Sequence, residues 1–99
     1  MAEIKRFSDI PSEGIFPETE KVYLKDVLGK EIVVYDARFI EGRFGEFVVL
    51  KFRFPKQKRF YSVSCGGKVV LKKVKKAVEE KLLPLRGKII REKRYYEII

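Results

Sequence analysis

Hydrophobic and polar residues alternate most regularly in the middle of the chain, between Phe44 and Phe54, where the sequence reads FGEFVVLKFRF. An alternation with a period of two places successive side chains on opposite faces of a β-strand. One face of this strand would be apolar and would pack against a core; it comprises Val48, Leu50, Phe52 and Phe54. The other face would combine a ring, an aliphatic side chain and two cations, in Phe47, Val49, Lys51 and Arg53. For this strand alone, a solvated outer face is the simpler interpretation.

Residues 31–40 predict a first strand, joined to the middle strand by a hairpin at residues 41–45, which contains two glycines. We expect both apolar faces to lie on one side of the sheet. Val33, Tyr35, Ala37 and Phe39 would then face inward, with Phe39 opposite Val48, Ala37 opposite Leu50 and Tyr35 opposite Phe52. This register sets Asp36 against Lys51 on the outer side. A shift by one residue would turn Asp36 and Arg38 into the core, so the first register is favoured.

Residues 59–65 predict a third strand, which follows a turn at residues 55–58. Its inward-facing side chains would be Tyr61, Val63 and Cys65, opposite Phe54, Phe52 and Leu50. Phe60, Ser62 and Ser64 would face outward. The outer face of this meander would therefore present two rings, an aliphatic side chain and three cations: Arg38, Phe47, Val49, Lys51, Arg53 and Phe60.

A helix is predicted for residues 68–83, which read KVVLKKVKKAVEEKLL and are followed by Pro84. Its apolar residues recur at spacings of three and four, as on a core-facing stripe. They are Val70, Leu71, Val74, Ala77, Val78 and Leu82. The lysines, Lys72 among them, lie on or beside the opposite face. The tail, residues 87–99, adds either one long strand or two short ones.

The order of these elements predicts an α+β fold, with one main helix packed on an antiparallel sheet of four to five strands. An OB-like barrel is the alternative, because that fold also inserts a helix between its third and fourth strands. A chain of 99 residues fits one domain. We place this domain at residues 21–99, after an irregular acidic N-terminal arm (residues 1–20) with three candidate apolar anchors: Phe7, Ile10 and Phe16.

The charge of the chain is unevenly distributed. The whole chain carries +9 at pH 7, yet the N-terminal arm holds five acidic and only two basic residues. Residues 21–99 therefore hold 21 basic residues against 9 acidic ones, a net charge of +12. Such an excess favours polyanionic partners and an association that weakens with salt. A basic domain with a merely solvated surface is the simpler alternative.

The residue types that are missing argue against an enzyme. The chain has no His and a single Cys, so it lacks the commonest general acid–base residue and the ligands of a Cys/His zinc site. Its three aspartates, Asp9, Asp26 and Asp36, lie in separate segments. We therefore expect no catalytic activity, no metal and no cofactor. The absence of a long apolar run or a signal-peptide core leads us to expect a cytoplasmic protein that does not enter a membrane.

Rings and cations on one open sheet face suit a single-stranded nucleic acid, whose bases stack on rings while its phosphates meet Lys and Arg. The predicted contact residues are Arg38, Phe47, Val49, Lys51, Arg53, Lys58, Arg59, Phe60 and Lys72. The residues themselves do not distinguish DNA from RNA, so a general RNA-binding protein is one alternative. Another is a protein-interaction or assembly subunit, such as a homodimer, that uses the exposed sheet face.

Several short blocks resemble the small archaeal ThermoDBP-related single-stranded DNA-binding proteins. The blocks are LGKEIVVYDARFIEGRFGEFVVLKF, RFYSVSCGGKVVLKKV and LPLRGKIIREKRYYEII, within residues 24–99. The resemblance implies a small α/β domain that binds single-stranded DNA without sequence preference, with a role in replication or repair. It implies an apolar and aromatic floor with basic edges, matched here by Phe47, Lys51, Arg53 and Phe60, with Lys58 and Arg59 at the rim. An archaeal, thermophilic source also agrees with the scarcity of Asn, Gln, Cys and Met beside many Lys and Glu.

Overall fold

The computed structural model describes residues 16–43 and 45–99, and these ranges contain six β-strands and one α-helix. In chain order the elements are β1 (Glu20–Lys21), β2 (Glu31–Gly42), β3 (Gly45–Arg53), β4 (Tyr61–Gly66), α1 (Lys68–Glu79), β5 (Leu85–Arg91) and β6 (Tyr96–Ile98). A single 3-10 turn, Leu24–Asp26, lies between β1 and β2. The tail thus forms two strands.

The six strands form one sheet in the order β1–β4–β3–β2–β5–β6. All neighbouring pairs are antiparallel except β1 and β4, which are parallel. The two outermost strands, β1 and β6, are not paired with each other, so the sheet is open. The α+β prediction is confirmed, and the OB-like barrel is wrong. The sheet has six strands where four to five were expected.

The pairing of β2 with β3 agrees with the predicted register only on one side of a β-bulge. Phe39 lies opposite Val48 and Ala37 opposite Leu50, as expected. The register shifts between Val34 and Asp36, so Val34, and not Tyr35, lies opposite Phe52. Tyr35 is the extra residue that a bulge leaves unpaired. The predicted position of Tyr35 was therefore wrong by one residue.

The bulge changes which side chains of β2 enter the core. Before it, Ile32 and Val34 are buried; after it, Ala37 is buried and Phe39 packs against the core. Val33 and Tyr35, both expected to face inward, lie on the other face, because Val33 pairs with Arg53. A bulge adds one residue to the strand, so the core-facing residues have even numbers before it and odd numbers after it. The charged residues of the strand thereby stay out of the core.

The pairing of β3 with β4 differs from the prediction by two residues. Tyr61 lies opposite Phe52, Val63 opposite Leu50 and Cys65 opposite Val48. A shift by two keeps every side chain on its face, so the inward residues of β4 were correctly identified. The shift arises because the connection from β3 to β4 runs from Phe54 to Phe60, longer than the predicted turn. Burial of Cys65 raises the pKa of its thiol to about 11.

Helix α1 covers the apolar face of the sheet with Val70, Leu71, Val74 and Ala77, all of which are buried. It ends at Glu79, earlier than predicted, because Lys81 adopts a left-handed conformation with φ of 56°. Leu82, expected on the core stripe, lies beyond the end of α1 and is exposed; Val78, also expected there, lies within α1 and is exposed too. In residues 16–43 and 45–99, no helix has the length and apolar character needed to cross a membrane.

Candidate nucleic-acid interface

The side of β2, β3 and β4 that faces away from α1 is called the outer face here. On β3 it carries Phe47, Val49, Lys51 and Arg53, because Val48, Leu50 and Phe52 point into the core. Cross-strand pairs then place Arg38 beside Val49 and Ser62 beside Lys51 on the same face. The predicted composition of the outer face is therefore present, with Tyr35 added to it by the bulge.

Four side chains at one end of the outer face form a group that we call the aromatic–basic cluster: Tyr35, Lys51, Arg53 and Phe60. The rings of Tyr35 and Phe60 meet edge to face, with centroids 5.0 Å apart. Lys51 Nζ lies 4.8 Å from the centre of the Phe60 ring, and Arg53 Cζ lies 5.6 Å from that of Tyr35. Each ring therefore has a cation within the range of a cation–π contact.

Arg53 also shapes the turn that brings Phe60 to the cluster. Its Nε donates to the Tyr35 hydroxyl at 2.9 Å, and its Nη1 donates to the carbonyl oxygens of Pro55 at 3.0 Å and Gln57 at 3.1 Å. A guanidinium can hold several acceptors because its donors point in fixed directions. Arg53 is thus half-buried and joined to the fold, which makes it a supporting residue as well as a predicted phosphate contact.

A basic depression of about 390 Å³ adjoins the aromatic–basic cluster at this turn. It is lined by Arg53, Lys56, Lys58 and Phe60, together with Pro55 and Gln57. Lys58 and Arg59 are exposed, as a rim position requires. The outer face therefore has, at one end, a ring and several cations around an opening that is large enough for a small polar group.

The last residues of the N-terminal arm lie across the outer face. Glu18 Oε1 forms an ion pair of 2.7 Å with Lys51 Nζ, and Glu20 forms one of 3.3 Å with Arg59. The hydrogen bond from Lys51 is the main reason why the pKa of Glu18 lies below its usual value. Phe16 is buried, and its ring centre lies 5.4 Å from Arg38 Cζ. Phe7 and Ile10, the other candidate anchors, fall outside the described residues.

Not all predicted contact residues are accessible in this arrangement. Val49 is only 5% exposed, so it offers no open surface to a ligand. Phe47 is half-buried, and its ring would lie 2.9 Å from a Cβ at Gly42, which explains why a glycine is needed there. Arg38 is exposed, but its guanidinium pairs with Asp36 at 2.8 Å. Phe44, next to this hairpin, lies outside the described residues.

Lys72 is the one predicted contact that the structure does not bring to the others. It is exposed on α1, which packs against the opposite side of the sheet. The aromatic–basic cluster thus brings together Lys51, Arg53 and Phe60 from the prediction, with Lys58 and Arg59 nearby.

Tyr35 is the residue of the cluster that sequence reasoning missed. Tyr35 ends the run IVVY, which contains no charged residue. Alternation alone therefore allows either set of alternate residues in this run to face the core. The signal was the change of parity between Ile32–Val34 and Ala37–Phe39, which leaves one extra residue between two apolar pairs. Such a change is the expected mark of a bulge.

A protein-interaction face is the alternative, but among residues 16–43 and 45–99 the outer face carries no large exposed aliphatic side chain. Among the described residues, the large exposed aliphatic side chains are Val78, Leu82, Leu85 and Ile99. Of these, Leu82, Leu85 and Ile99 line an apolar pocket of about 250 Å³ beside the end of α1. An apolar contact surface is therefore found at the helix side of the sheet.

Comparison with protein-family models, with curated proteins and with solved structures finds no match for this chain. In the part of the chain that the structure describes, no three acidic or cysteine side chains come together as they would around a metal ion.

Proposed function

We propose that this protein binds single-stranded nucleic acid without sequence preference and without catalysis, and that the nucleic acid is DNA, as the sequence resemblance implies. The observation that carries the proposal is the aromatic–basic cluster beside a basic depression. Aromatic rings accept any base by stacking, and cations accept any phosphate, so such a surface needs no particular sequence. A duplex hides its bases and offers nothing to the rings.

The geometry supports the following roles within the site. Phe60 is half-buried and lines the depression, so its ring is the stacking surface next to the opening. Lys56, Lys58 and Arg59 are exposed around it and supply the phosphate contacts. Tyr35 and Arg53 hold Phe60 and the turn in place. Nothing in this site recognises a 2′-hydroxyl, so the preference for DNA rests on the resemblance alone.

Replacing Phe60 by Ala tests this proposal. Loss of one stacking ring is worth about 1–3 kcal/mol per base, so affinity for a labelled single-stranded oligonucleotide should fall roughly 5- to 150-fold. Tyr23→Ala is the matched control, because Tyr23 is an exposed ring outside the cluster. Fluorescence anisotropy measures both variants. Equal affinities for the two variants and the parent chain would overturn the proposed site.

A further inference from the structure

A second basic depression, of about 490 Å³, lies between the start of α1 and the hairpin formed by β5 and β6. On one side it is lined by Gly66, Gly67 and Lys68; on the other it is lined by Arg91, Arg94 and Tyr95. We call it the hairpin cleft. It does not include any of the nine residues that the sequence analysis assigned to binding.

Among the described residues, no carboxylate pairs with the cations of the hairpin cleft. None of the ion pairs or side-chain hydrogen bonds between described residues involves Lys68, Arg91 or Arg94. The described residues that line the cleft include no carboxylate. The outer face differs, because Lys51 and Arg59 there already pair with glutamates. Among the described residues, an anion that enters the hairpin cleft therefore displaces no internal partner of these three cations.

The hairpin cleft also carries an accessible ring. Tyr95 is 46% exposed, whereas its neighbour Tyr96 packs against the core and fixes the strand. The hairpin turn is closed by a hydrogen bond of 2.7 Å from the Glu92 amide to the Tyr95 carbonyl. Tyr95 is thus held at the mouth of the cleft without being covered, which is the arrangement that base stacking requires.

The opposite wall leaves room for a ligand. A Cβ placed on Gly66 or Gly67 would meet no atom within 4 Å, so the space in front of this wall is open. Gly66 pairs with Phe47 across β4 and β3, so the wall begins where the outer face ends.

We propose that the hairpin cleft binds one nucleotide unit of a single-stranded nucleic acid, with its phosphate at Lys68, Arg91 and Arg94 and its base on Tyr95. The inference rests on the proposed function for the class of ligand, but it assigns a separate site. The cations supply the charge that a phosphodiester needs, and the ring supplies a surface that accepts any base.

The test compares two cleft variants with a variant of equal charge elsewhere. The first cleft variant, R91Q with R94Q, should weaken binding at least fivefold and lower the slope of log affinity against log salt by about 0.7 for the one lost phosphate contact. Tyr95→Ala should weaken binding without changing that slope, and Tyr95→Phe should restore the affinity. The control is K25Q with K76Q, which removes two exposed cations outside both depressions.

The outcomes separate this inference from the proposed function. If the cleft variants behave like the control while Phe60→Ala weakens binding, the hairpin cleft is not a site and the proposed function stands. If the cleft variants lose affinity and Phe60→Ala does not, the cleft is confirmed and the outer-face site is overturned. If the parent chain binds no single strand at low salt, both fail. Thermal unfolding of each variant confirms that the fold is retained.

Discussion

Tyr35 connects the two halves of the aromatic–basic cluster. Its ring contacts Phe60, and its hydroxyl accepts a hydrogen bond from Arg53, the residue that holds the turn before β4. A tyrosine at this position therefore does two things, one with its ring and one with its oxygen. The two are separable by substitution.

Tyr35→Phe removes the oxygen and keeps the ring. The variant should lose about 1 kcal/mol of unfolding free energy, because the part-buried Arg53 Nε loses its acceptor. Its affinity for single strands should stay close to that of the parent chain. Urea unfolding and fluorescence anisotropy measure the two quantities. A large loss of affinity with unchanged stability would mean that the hydroxyl, and not the ring, meets the ligand.

The elements differ in how far the sequence could place them. The strand β3 and the buried face of β4 follow from alternation, because Lys51 and Arg53 fix which positions of β3 face outward. The bulge in β2 does not, since four consecutive apolar residues fit either face. The strand β1 has only two residues and no pattern of its own. Its pairing depends on the tertiary position of β4, which no local signal encodes.

The contact residues show the same limit. Alternation places Lys51, Arg53 and Phe60 on the outer face correctly, because facing follows from parity. Alternation does not predict whether an outward-facing side chain is accessible, because other parts of the chain can cover it. Val49 is on the outer face but is buried. Lys72 was assigned from helix charge alone, and the packing of α1 places it on the other side of the sheet.

The final segment of the N-terminal arm contacts the outer face through Glu18, so we expect it to compete there with a bound strand. Glu18→Gln removes the carboxylate from Lys51, and affinity for a single strand should rise about two- to fivefold, as expected for the loss of an exposed ion pair. Glu80→Gln is the control. It changes the net charge by the same amount, but Glu80 pairs with Lys76 on α1 and not with a residue of the outer face. Anisotropy at constant salt measures both. Equal gains would indicate that only net charge matters.

The pH dependence of this contact follows from the lowered pKa of Glu18. A carboxyl whose pKa is lower in the folded chain stabilises the fold above its unfolded pKa, and that contribution disappears as the pH falls through the folded pKa. The ion pair with Lys51 therefore stays intact at neutral pH and is lost only in acid. Affinities measured near neutral pH are therefore all measured with Glu18 ionised.

At the scale of the whole molecule, charge is unevenly distributed along the chain: residues 1–20 hold an excess of acidic residues and residues 21–99 an excess of basic ones. The net charge of +12 on residues 21–99 supplies long-range attraction for a polyanion, which acts on any nucleic acid. Selection of single strands must come from the rings, because phosphate charge is present in duplexes too. In the proposed function, charge therefore supplies affinity and the aromatic–basic cluster supplies the preference for unpaired bases.

The most direct test is an anisotropy titration of labelled single-stranded DNA with the parent chain at two salt concentrations, with unlabelled duplex as competitor. We predict tight, sequence-tolerant binding that duplex competes for poorly. The slope of log affinity against log salt should be about −3 if four phosphates are neutralised. Equal competition by duplex would reduce the molecule to a basic surface and contradict the central claim. No binding at low salt would contradict it outright.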